Sequence, residues 1–276
     1  MLVNLGFEHL TPNEALAARG GRAGNVLLEE VLRGQLKAQN RIQHKAATWL
    51  FSGENIQSAI QRLKNVKCDG LQKTNEAVYD LLTLGVALEQ SIEGDVKSFT
   101  LNYVDWSNPA NNVYHVTTEF SVEHYRAKLG SYDTARPDVV LFVNGIPFAV
   151  IECKSPKVEV ELAISQMIRN QHDAYIPRLF TYAQMVLGVN KNDARYATTG
   201  TPARFSSKWK EEVADAMLQP LLEKPPPERV KASLFDIAFQ ELGVREDTAP
   251  SVVGRQVTEQ DRALYPKNRS QPTPFA

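Results

Sequence analysis

The sequence predicts an α/β fold: a mixed sheet flanked by helices, with a mainly helical N-terminal part. Three observations carry this prediction. Apolar residues recur at helical spacing over roughly the first ninety residues, after which the pattern alternates as strands do. Two apolar runs, Val139–Val143 and 146–151, are joined by Asn144-Gly145, the strongest short hairpin signal. A helical pattern then resumes directly after Pro156.

Taken in order, the opening segment is polar and spotted with glycine (Arg19-Gly20-Gly21-Arg22-Ala23-Gly24). It reads as a mobile arm or loop. Residues 26–49 place Val26, Leu27, Val31, Leu32, Leu36, Ile42 and Ala46 at helical spacing. Residues 55–63 read as a second helix, and Asn75 is a candidate cap for a third running to Leu88. Val96, Phe99, Leu101, Tyr103 and Val104 then suggest a strand. A turn-rich break (Asp105 to Asn112) and a second strand over 113–122 follow. The central hairpin and a helix through Val160, Leu162, Ile164 and Met167 come next. Strands are expected over 182–189 and 195–199, and a helix over 208–222. Consecutive prolines at 225–227 mark a linker. A short helix over 230–242 and an unstructured end from Pro266 complete the reading.

Composition narrows the function. The chain has 276 residues, 43% apolar and 23% charged, so it can bury a core and is not disordered as a whole. Its net charge is -1. A free-standing nucleic-acid binder usually carries a basic excess, so any grip on DNA must be locally clustered or supplied by other chains. The two cysteines, Cys68 and Cys153, form no CxxC pair, which argues against a zinc framework or a disulfide scaffold. The five histidines (His9, His44, His115, His124, His172) fall at no helical ligand spacing. Neither a signal peptide nor a transmembrane run is apparent, so a cytoplasmic protein is expected.

The residues that carry chemistry flank the hairpin: Asp138 before it, Glu152 and Lys154 at its end. Glu152 and Lys154 are two apart and share a face of their strand. Core strands rarely end on inward charges unless these are paired or bind metal. Strict pairing across a two-residue turn would match Asp138 with Ile151 and put Asp138 and Glu152 on opposite faces. A joint site therefore requires a bulge or an odd register shift in the hairpin, for example one that pairs Asp138 with Glu152. Such a trio suits phosphodiester hydrolysis. Two carboxylates and the backbone carbonyl of Cys153 would hold Mg²⁺, and Lys154 would orient or deprotonate a water and offset charge on the phosphate.

The run RPDVVLFVNGIPFAVIECKSP (136–156) closely resembles the nuclease region of the R (restriction and motor) subunit of type I restriction enzymes, in the PD-(D/E)xK nuclease superfamily. NVLLEEVLR (25–33), VDWSNPANN (104–112), YIPRLF (175–180) and TTGTP (198–202) fit the same family in the same order, so the resemblance spans about residues 1–265. It implies a restriction-endonuclease-like fold. Residues 1–92 would form the helical N-terminal part of the nuclease domain and 93–222 the nuclease core. Residues 223–276 would be a partly disordered linker and the start of a motor region absent from this chain.

The resemblance also assigns roles. Asp138 and Glu152 would bind Mg²⁺ and Lys154 would act in catalysis. A Gln-x-x-x-Tyr motif follows on the next helix in much of the family. By spacing Gln166 fits its glutamine, with Asn170 departing from the tyrosine, and Gln171 with Tyr175 is the second possibility. Arg136, Arg169 and Tyr175 are candidates to touch DNA. Asp133, Arg126 and the Lys208-Trp209-Lys210 patch are weaker ones, and Glu29 is a weak acidic candidate on the first helix. The implied activity is Mg²⁺-dependent cutting of double-stranded DNA, with methylase (M) and specificity (S) subunits as partners. The family's motor binds ATP, but no GxxxxGK[ST] phosphate loop occurs here, so this chain is not expected to bind ATP that way. The competing expectation is a catalytically silent remnant that keeps the fold and serves only DNA binding or subunit assembly.

Overall fold

Asn144 and Gly145 both take positive φ, 53° and 80°, the conformation a two-residue hairpin turn needs. Around this turn the computed structural model, which describes residues 2–126, 131–210 and 219–220, builds its main sheet. In chain order the elements are β1 (Glu8–Leu10), α1 (Pro12–Ala18), α2 (Glu29–Gln39), β2 (Ile42–His44), β3 (Ala47–Trp49), α3 (Gly53–Lys64) and α4 (Leu71–Leu84). Then follow β4 (Val86–Ile92), β5 (Asp95–Leu101), β6 (Tyr114–Thr118), β7 (Val122–Arg126), β8 (Ser131–Ala135), β9 (Val139–Val143) and β10 (Ile146–Cys153). The last are α5 (Val160–Asn170), α6 (Pro177–Tyr182), β11 (Met185–Val189), β12 (Ala194–Ala197) and β13 (Ser207–Lys208).

Seven strands form one mixed sheet in the order β1-β6-β9-β10-β11-β12-β13, which puts β10 at its centre. β10 runs antiparallel to β9 and parallel to β11, and the α5–α6 segment makes the crossover that a parallel pair requires. The fold is thus the expected mixed α/β architecture. Along β9 and β11 the residues alternate half-buried and buried. Val140, Phe142, Val150 and Val186 point to the dry face. They pack into one core with Leu32 and Leu36 of α2, Ile56, Ile60 and Leu63 of α3, Val78 of α4, and Leu179 and Phe180 of α6. Residues 7–211 form one compact unit. The described residues 2–6 and 219–220 belong to a second, which includes a 3-10 turn at Val3–Leu5.

Several expectations change in detail. The glycine-spotted segment is folded. Thr11 and Glu14 make a capping box for α1, and Arg19, 2% exposed, donates to the carbonyls of Asn25 and Ser121 at 3.0 and 2.7 Å. Its guanidinium lies 4.1 Å from the Phe120 ring centre, and burial lowers its pKa to about 10. The first long helix stops at Gln39 and gives way to the β2–β3 hairpin, whose turn residue Lys45 has φ 54°. α4 starts before Asn75 and ends at Gly85, so Val86 and Leu88 are strand residues. Asn75 caps no helix. It donates to the carbonyls of Phe180, Thr181 and Ala183, tying α4 to α6. The strand over 113–122 breaks at Glu119, which has φ 49°, and 182–189 begins with the end of α6. Lys208 lies in an edge strand rather than a helix. The rest of the helix expected over 208–222, apart from 209–210 and 219–220, lies outside the described residues, as do the linker at 223–228, the helix over 230–242 and the C-terminal end.

Candidate active site

Of the two ways to join the site, a bulge or an odd shift, the hairpin carries a bulge. Ile146 pairs with Val143 and Pro147 with Phe142, but then Ala149 pairs with Leu141, Val150 with Val140 and Ile151 with Val139. One extra residue, Phe148, is accommodated on β10. Pro147 has no N–H to give to the ladder, which makes this a natural place for pairing to slip. The shift moves Val150 and Glu152 to the dry face, the face of Val140 and, one pair further on, of Asp138. Extending the register past Ile151 sets Glu152 opposite Asp138.

Glu152 is 0% exposed. Its Oε2 accepts from Gln166 Nε2 at 2.8 Å, and its Oε1 accepts from Asn170 Nδ2 at 3.3 Å. Gln166 Oε1 in turn accepts from Lys154 Nζ at 2.7 Å, and Lys154 Nζ lies 3.9 Å from Glu152 Oε2. Asp138 Oδ2 accepts from the backbone N–H of Cys153 at 2.7 Å, which fixes it beside β10. Burial pushes the Glu152 carboxyl up to about 8, and the charge and hydrogen bonding of Asp138 add to this. Lys154 and Gln166 pull the other way. A buried carboxyl next to a second one is costly to ionise, and a divalent cation between them would replace that repulsion with attraction. The donor set fits a hard cation: two carboxylates, with the Cys153 carbonyl as a third oxygen. Among the described residues no group of three or more His, Cys, Asp or Glu side chains is placed to hold a metal. The remaining positions would fall to water, as Mg²⁺ tolerates. Cys153 is exposed by surface area, but partial desolvation of its thiol and the neighbouring carboxylates raise it to about 11, which favours the protonated thiol.

The second half of the site comes from α5. This helix sits close on β11 because Gly188 offers no side chain. A Cβ there would lie 2.8 Å from Ile164 Cδ1 and 3.1 Å from Ala163 Cβ. Gly188 pairs with Glu152 in the parallel ladder, so the close approach occurs at the row where the carboxylate stands. Gln166 and Asn170, four apart, face the sheet together. The loop before α5 is pinned by Asn190 Nδ2 to the Val158 carbonyl at 2.8 Å and by the Lys154 N–H to the Val189 carbonyl at 2.8 Å.

The structure thus brings together Asp138, Glu152, Cys153, Lys154 and Gln166. It does not bring Gln171, whose amide donates to the Met167 carbonyl and accepts from the Gly200 N–H. Tyr175 packs on the ring of His124, with centroids 6.0 Å apart, and under the exposed guanidinium of Arg169 at 5.4 Å. Arg136 is exposed just before Pro137-Asp138. Glu29 pairs with Lys64, in the part of α2 that meets the turn of the hairpin through Leu28 N–H and Gly145 O. About seven residues of strand separate that turn from the carboxylates, roughly 20 Å, so Glu29 is not part of this cluster. Two residues escaped the sequence reading. Asn170 stood out only as a departure from a motif, and Gly188 carried no signal, because helix-to-strand closeness is not written in either segment alone.

Comparison with known proteins identifies the family. The family model described as the type I restriction enzyme R protein N terminus matches residues 1–205. An inferred type I restriction enzyme endonuclease subunit of Methanocaldococcus jannaschii is 28% identical over 249 residues, 86% of this chain and 22% of that protein. A second such subunit from the same organism is 34% identical over 134 residues, 48% of this chain and 12% of its own length. The HindI endonuclease subunit of Haemophilus influenzae is 25% identical over 217 residues, 76% of this chain and 19% of that one. The chain therefore spans about a fifth or less of the relatives it matches. Among the described residues no helix is long and apolar enough to cross a membrane. With the family model covering residues 1–205, this chain belongs to the type I restriction enzyme R protein N-terminal family.

Proposed function

We propose that this chain is the endonuclease module of a type I restriction-modification R subunit, hydrolysing phosphodiester bonds of double-stranded DNA with Mg²⁺. The observation that carries the reading is the fully buried Glu152 carboxylate, which meets Asp138 and is linked through Gln166 to Lys154. Asp138, Glu152 and the Cys153 carbonyl would hold the cation. Once bound, Mg²⁺ would supply positive charge at the scissile phosphate and make a nearby water more acidic.

The protein groups do the rest. Lys154, held by Gln166 at 2.7 Å, would orient the attacking water and offset the charge that builds on the phosphate oxygens. Water adds to phosphorus as one backbone P–O bond breaks, and the departing oxygen takes up a proton. Arg136 and Arg169, both exposed, would contact the DNA backbone, with Tyr175 supporting Arg169. A net charge of -1 fits a module that draws much of its DNA grip from methylase and specificity subunits. The reading places it in the cytoplasm with its DNA.

A plasmid nicking assay with Mg²⁺ or Mn²⁺ tests this. The chain should convert supercoiled plasmid to open circle, and Asp138→Ala and Lys154→Ala should each slow this by at least ~100-fold. Equal rates in all three would overturn the site, and no cutting by any would favour the catalytically silent reading.

A further inference from the structure

We infer that Asn170 is a positioning residue that fixes the orientation of the Glu152 carboxylate toward its cation. The inference deepens the proposed function and rests on its reading of the site as a cation site. Glu152 is the one site carboxylate that is fully buried, so no solvent holds its rotamer. Its two oxygens are held from one helix: Oε2 by Gln166 and Oε1 by Asn170, at 2.8 and 3.3 Å. A buried carboxylate tied at one oxygen can still swing about its terminal bond, which is broad and roughly two-fold. Tied at both, it presents a set face to Asp138.

The placement of Asn170 singles it out. It is the last residue of α5 and is buried. Its carbonyl accepts from the Ile176 N–H at 3.1 Å, so the chain leaves the helix here while the side chain turns inward. Gly188 lets α5 settle close to the sheet, and without that closeness neither amide would reach Glu152. Leu in place of Asn170 keeps the four-atom branched shape, with more bulk and no donor. It would leave the packing filled, Glu152 Oε1 without its partner, and the carboxylate free to rotate. Binding must then freeze the freed carboxylate; ordering one side chain costs ~1 kcal/mol or slightly more, roughly a five- to tenfold loss of cation affinity.

The experiment measures binding of Mn²⁺ alone and Mg²⁺ alone to the full chain by titration calorimetry, together with plasmid nicking across a Mg²⁺ series. Asn170→Leu should weaken Mn²⁺ binding about five- to tenfold. It should raise the Mg²⁺ concentration for half-maximal nicking to match, and leave the rate at saturating Mg²⁺ within about threefold. Asn170→Ala makes the same comparison if leucine is not accommodated, with melting curves to establish that each variant is folded. An unchanged Kd in Asn170→Leu, or a wild-type chain that binds neither ion, overturns the inference. A chain whose Mn²⁺ binding weakens in Asn170→Leu but that cuts no DNA upholds it and instead defeats the nuclease reading.

Discussion

The β9–β10 hairpin buries a polar side chain at each end, and the two ends are built for opposite purposes. At the turn, Asn144 is fully buried. Its amide donates to the Tyr103 carbonyl and to Asn112 Oδ1, both at 2.8 Å, and to Gln39 at 3.2 Å. Its oxygen accepts from the Val113 N–H at 2.9 Å. Every partner is neutral and every bond is satisfied, so this end contributes to stability. At the open end, Glu152 is equally buried but stands against a second carboxylate, with only amides and one lysine to balance it. Neutral networks stabilise a fold, whereas a buried carboxyl beside a second one is costly to ionise; under the proposed function a cation would complete the set.

Three measurements can break or sharpen this contrast. The largest effect is expected from Glu152→Gln. Nicking should fall by at least ~100-fold while the melting temperature without metal holds or rises, because the amide removes a buried charge conflict. A large drop in melting temperature would assign Glu152 to the fold instead. Next, Asn144→Ala should cost the fold about 2–4 kcal/mol, since it strands several buried partners and puts alanine at positive φ. Any activity lost should return in proportion to the folded fraction, and a change in cation affinity of the folded protein would contradict the comparison.

The smallest effect is a pH dependence. The folded Glu152 carboxyl is raised from about 4.5 to about 8, so the folded state favours its protonated form. Stability from this group is therefore full below about pH 4.5 and is lost as pH rises toward 8. In metal-free buffer the melting temperature relative to Glu152→Gln should fall over that window, and saturating Mg²⁺ should reduce the fall. A flat difference between the two proteins would remove the charge conflict from the account.

Much of this was legible in the sequence. Asn144-Gly145 set the hairpin, and the spacing of Asp138, Glu152 and Lys154 required a bulge or an odd shift, of which the bulge at Pro147 and Phe148 is the one present. The choice of Gln166 over Gln171 was less legible, because the phase of α5 against the sheet depends on Gly188 and on the packing of Ala163 and Ile164. The N-terminal segment misled for a related reason. Its glycines and arginines look like a solvated loop until Ser121, Asn25 and Phe120 close around Arg19. Helical spacing also ran on through Ile42 and Val86, where short hairpins begin, because a few apolar residues fit either period.

The sequence by itself determined the mixed α/β class, the central hairpin, the acidic pair with its lysine, and the family resemblance. These rest on local periodicity, turn chemistry and the order of motifs along one chain. Only the tertiary structure decided that Glu152 is fully buried, that α5 comes close enough for Gln166 and Asn170 to hold its two oxygens, and that Glu29 belongs to a different cluster. Each of these depends on segments distant in the chain meeting across the core, and the desolvation and close approach that result exist only once the core has formed.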